Sequence, residues 1–106
     1  MRGVAGDAQA LVDELLAVLK LAEDLGQVPI DHLAAIARAV IGDLVGDRLQ
    51  RAAEELARLR RETARLLHPD PREPGERAAY QELHARANAL LTRLESMLAS
   101  ASTAAP

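Results

Sequence analysis

The chain carries three histidines, 16 Asp and Glu, 13 Lys and Arg, and no cysteine. These side chains set the chemistry it can attempt. A metal ion needs donors converging at about 2 Å, and on a helix they would stand three or four positions apart. His84 has Ala87 and Asn88 at those positions, and the nearby Glu82 faces another side. His32 falls in the first turn of one predicted helix and His68 at the end of another. Only a fold joining His68, Asp70 and His84 would make a metal or catalytic site, so surface histidines and no metal are expected. Without cysteine there is no disulfide, thiolate zinc site or cysteine nucleophile. No glycine-rich phosphate loop occurs, nor a nucleophile in a strand–turn–helix setting, so neither enzyme activity nor a cofactor is expected.

The carboxylates mostly stand at helical spacing from arginine, as Glu54 does to Arg58 and Glu62 to Arg65. Such pairs contribute a few tenths of a kcal/mol on an exposed helix. The arginines form a longer pattern. Arg51, Arg58 and Arg65 are spaced by seven, and Arg61 shares their side. The basic row runs into His68-Pro69-Asp70. One reading is a solvated face partly neutralised by Glu54, Glu55 and Glu62. The other is a docking surface for an acidic patch on a second protein, where complementary charge speeds encounter and sets orientation.

The elements that position these residues follow from composition. At 106 residues the chain fits one domain. Nearly half of it is apolar, yet Tyr80 is its one aromatic residue. A core of Leu, Ala, Val and Ile favours helices, because strands prefer β-branched and aromatic side chains. A net charge of −3 is too mild to imply nucleic acid or an acidic membrane. The first apolar run holds Asp13, Glu14 and Lys20, so neither a secretory signal nor a membrane span is expected. A cytoplasmic location is the default.

Periodicity predicts helices over about 7–25, 31–45, 47–67 and 76–98. Asp7 is the expected N-cap of the first, and residues 1–6 are expected to be disordered, as is the tail 99–106. Ala8, Leu11, Leu15, Val18, Ala22 and Leu25 line the first helix, widened by Val12, Leu16 and Leu19. Gly26 is read as a left-handed C′ residue. Leu33, Ile36, Ala37, Val40, Ile41 and Leu44 line the second helix. Leu49, Ala52, Leu56, Leu59, Thr63 and Leu66 keep heptad spacing, matched by Tyr80, Leu83, Ala87, Leu90, Leu94 and Met97. Two such stripes on either side of a proline-rich turn predict an antiparallel, coiled-coil-like hairpin. The fold class is therefore all-α, a four-helix bundle of two helical hairpins. Helices this apolar leave stripe for a partner, a second copy in a homodimer being one candidate.

A basic helix ending in His68-Pro69-Asp70, a loop, then Tyr80, Leu83, Ala87 and Leu90 resembles the J-domain of Hsp70 co-chaperones, over residues 47–98. The stretch LHARANAL is similar to the third helix of divergent bacterial J-like proteins. The resemblance implies stimulation of an Hsp70 ATPase, with Arg58, Arg61, Arg65, His68, Pro69 and Asp70 carrying the contact. The chain departs from the family's pattern at Pro71, where a basic residue is usual, and at Thr63, where an apolar one is. The heptad texture also resembles the helicase-binding hairpin at the C-terminal end of bacterial primases. On the residues alone, the expected function is non-catalytic: a helical protein–protein interaction module, an adaptor or small subunit. Its apolar helix stripes and arginine face would bind a protein partner, with J-like action on an Hsp70 as the alternative.

Overall fold

The computed structural model describes residues 2–26, 29–68 and 74–104. Among them are four helices and no strand: α1 (Arg2–Gly26), α2 (Asp31–Val45), α3 (Leu49–Leu66) and α4 (Pro74–Ala104). α1 packs on α2 and α4, and α3 also packs on α2 and α4, so the helices close into a ring. Ala22 of α1 meets Tyr80 of α4, His32 of α2 meets Glu62 of α3, and Arg60 of α3 meets Asn88 and Glu95 of α4. Neighbours are thus antiparallel, in the up–down–up–down order that short connections favour. The all-α four-helix bundle is as the sequence predicts. Its most extensive packing, however, lies between α2 and α3 and between α1 and α4 rather than within the C-terminal hairpin. No helix among the described residues is long and apolar enough to cross a membrane.

A heptad stripe serves one neighbour, whereas a helix in a ring has two, so the buried faces are wider than the stripes. Tyr80, Leu83, Ala87, Leu90 and Leu94 are buried as expected, and Leu91 and Leu98 join them from the flank. Leu67, just past the end of α3, is also fully buried. Leu25 departs from expectation and is 48% exposed. A 3-4 alternation drifts around a helix of 3.6 residues per turn, and by the last turn of α1 it has reached the solvent flank.

The ends differ from expectation too. α1 begins at Arg2, so Asp7 caps nothing, and α4 continues through Ala104, into the segment read as a disordered tail. Extending an existing helix needs no new nucleus, and no proline interrupts 2–6 or 99–104. Met1, Ala105 and Pro106 lie outside the described residues. α4 starts at Pro74, whose fixed φ suits the first turn. α3 starts at Leu49 and ends at Leu66, inside the predicted 47–67.

The α2–α3 corner explains that start. The Asp47 amide donates to the Leu44 carbonyl (3.2 Å) and the Arg48 amide to the Asp43 carbonyl (2.7 Å). These are the two bonds of a Schellman motif, which needs a left-handed residue between them. Asp47, at φ 60°, supplies it; no glycine among the described residues has positive φ. Gly46 has a different task. Arg48 folds back over it to donate to the Asp43 carboxylate (2.9 Å) and the Gly42 carbonyl (3.2 Å), and a Cβ at 46 would collide with that guanidinium. The Arg48 contact thereby accounts for a carboxylate that is only 7% exposed.

Two buried polar groups have opposite fates. The Tyr80 hydroxyl donates to the Ala22 carbonyl at 3.2 Å, tying α4 to α1. Thr63 is 1% exposed and its hydroxyl has no hydrogen-bond partner among the described residues. Burying a hydroxyl unpaired costs about 1–3 kcal/mol. Thr63→Val should therefore raise stability by about 1 kcal/mol in urea unfolding. Asp47→Gly should raise it by roughly 0.5–1 kcal/mol, because glycine enters the left-handed region without strain. An unchanged or lowered midpoint would contradict either reading.

Candidate docking surface

The inner face of α3 settles where its arginines point. With Ala52, Leu56, Leu59 and Thr63 buried, helical periodicity turns Arg51, Arg58, Arg61 and Arg65 outward, and all four are exposed. Neither Arg58 nor Arg61 forms an ion pair among the described residues, so the expected Glu54–Arg58 pair is not made. The Glu62–Arg65 pair is present but loose, at 3.7 Å, with the Arg65 side chain 80% exposed. Arg65 also sits in the last turn of α3, where the carbonyl ends favour a cation. His68 follows directly and is exposed. Pro69 and Asp70, the rest of the predicted contact set, lie outside the described residues.

At its upper end the row borders a shallow cleft of about 230 Å³ between the start of α2 and the end of α3. Pro29, Leu33 and Leu66 give it apolar walls, and His32, Glu62 and Arg65 give it a charged rim. His32 Nε2 is 3.7 Å from the Glu62 carboxylate, an ion pair only when the imidazole holds its proton. His32 was read as a surface histidine; the fold puts it beside the arginine row. The placement comes from α2 and α3 running antiparallel, which no local pattern reveals.

Arg60 was absent from the predicted set, yet it makes four side-chain hydrogen bonds. Its guanidinium grips both Glu95 oxygens (2.7 and 2.9 Å), Thr92 Oγ1 (2.9 Å) and Asn88 Oδ1. It clamps α3 to α4 and is unavailable to a partner. A signal existed: Arg60 follows Leu59 just as Asn88 follows Ala87 and Glu95 follows Leu94, so all three flank the buried stripes.

The remaining chemistry is sparse. Among the described residues no three His, Asp or Glu side chains gather to hold a metal ion. His84 is half-buried on α4. A hydrogen bond and the charge of Glu23, with Asp24 adding to it, hold the Lys20 ammonium above its ordinary pKa. A larger cleft of about 520 Å³ between the start of α3 and the end of α4 is walled mainly by Leu and Ala. Its one carboxylate, Glu95, is committed to Arg60. No protein-family model matches the chain, and no curated protein or solved structure matches it either.

The split between clamp and free arginines is measurable. Arg60→Ala should cost about 1 kcal/mol of stability, a bidentate but partly solvated pair being modest. Arg61→Ala should stay within about 0.5 kcal/mol of the parent, having no ion-pair partner to lose among the described residues. Equal losses in chemical unfolding would refute the assignment.

Proposed function

We propose that this chain is a non-catalytic helical docking module, an adaptor or small subunit that offers the outer face of α3 to an acidic segment of another protein. One observation carries the reading: an arginine row, Arg58 and Arg61, that forms no ion pair among the described residues leads through Arg65 into an apolar-walled cleft. The arginines provide long-range attraction and orientation, acting chiefly on the association rate. The cleft provides what the charges lack, a place where an apolar side chain leaves water beside a charged rim. Together they suit an amphipathic segment with carboxylates on one side and a leucine-sized anchor.

A J-like action on an Hsp70 is the second reading. The exposure of His68 directly after the arginine row favours it, since the resemblance puts that histidine at the contact. The same variant tests both. A triple charge reversal, Arg58→Glu, Arg61→Glu and Arg65→Glu, should fold normally and lose a partner that the parent captures in a salt-sensitive manner. If parent and variant retain the same proteins, the docking reading fails. Added to the cognate Hsp70, the parent should raise ATP turnover and the variant should not; no stimulation by the parent removes the J-like reading alone.

A further inference from the structure

We propose that proton uptake by His32 strengthens the docking of an acidic segment on the α3 face. The inference rests on the docking reading above and supplies its regulation. Glu62 stands between two basic side chains: its Oε1 is 3.7 Å from His32 Nε2, and its Oε2 is 3.7 Å from Arg65 Nη1. One carboxylate is thus shared by α2 and α3 on the rim of the cleft of about 230 Å³. The Glu62 side chain is 26% exposed, against 57% for His32 and 80% for Arg65. The carboxylate is therefore the most enclosed of the three.

His32 decides the charge of that rim. An ordinary imidazole changes charge between about pH 5 and 8, whereas an ordinary carboxylate or guanidinium does not. With the imidazole neutral, Glu62 cancels Arg65 and the rim has no net charge. An incoming carboxylate then meets Glu62 as a like charge. With the imidazole protonated, His32 answers Glu62, and Arg65 joins Arg58 and Arg61 as charge that an acidic segment can use. The rim gains a positive charge at the entrance to the cleft, where the segment's apolar anchor goes in. Affinity therefore rises as pH falls.

The neighbouring charges leave this exchange to the three residues. No other charged side chain lines the cleft among the described residues. Asp31 precedes His32 on α2 and is exposed. The first-turn amides of α2 disfavour a cation at His32, and Asp31 and Glu62 favour one. On α1, also packed on α2, Lys20 pairs with Glu23 and Asp24, and Asp24 lines a groove toward α4. His68 follows α3 beyond Arg65 and is not part of the cleft lining, so its titration is a separate event.

The probe is a fluorophore-labelled amphipathic peptide with glutamate on one helical face and leucine on the other, titrated by anisotropy at low salt. Its glutamates stay charged between about pH 8 and 6. The parent should bind it about threefold tighter at the lower pH than at the higher, the scale of one exposed charge contact. His32→Gln should lose that gain, and His68→Gln should keep it. At the higher pH, Glu62→Gln should bind about threefold tighter than the parent, because Arg65 is then uncancelled without any proton. Circular dichroism should show the parent's helix content in each variant. Equal affinity at both pH values, a gain that survives in His32→Gln, or one that disappears in His68→Gln would overturn the proposal. So would a Glu62→Gln variant that binds no tighter than the parent at the higher pH. A peptide bound at neither pH removes the docking reading and this inference with it; binding that ignores pH removes this inference alone.

Discussion

The bundle depends on filling its core with side chains that are individually small. One aromatic ring is present, Tyr80, and it is fully buried between α4 and the end of α1. Among the described residues everything else inside is Leu, Ala, Val or Ile, apart from Thr63 and Asp43. Side chains of that volume bury enough apolar surface only if each helix is covered on two sides, because burial stabilises in proportion to area removed from water. The ring arrangement meets that condition. It explains why α4 buries Leu91 and Leu98 in addition to its heptad stripe, and why α1, with two adjacent apolar rows, packs against both α2 and α4.

The two long helices have a second effect. α1 and α4 contain 25 and 31 residues, against 15 and 18 in α2 and α3. The shorter pair must therefore turn back sharply within the length of the longer one. The corner at Gly46–Arg48 does this with three chain-specific parts: a left-handed Asp47, a bare Gly46, and an Arg48 that crosses the glycine to reach Asp43. Removing the Asp43 carboxylate from water is tolerable because the Arg48 guanidinium pairs with it.

Helix content, order and most of the core were legible in the sequence because each rests on spacing along the chain. Leu56, Leu59, Tyr80, Ala87 and Leu94 needed nothing beyond their heptads. What was not legible depends on which helices become neighbours. Leu91 and Leu98 look like flank positions until α4 has two partners, and Leu25 looks like a core position until the drift of its stripe is set against the end of α1. The arginines show the same division. Arg58, Arg61 and Arg65 point outward simply by phase relative to Leu56 and Leu59. Arg60 differs from Arg61 by one residue, yet the antiparallel register with α4 turns it into a clamp. His32 joins the arginine row by the same kind of long-range register, through α2 rather than α4.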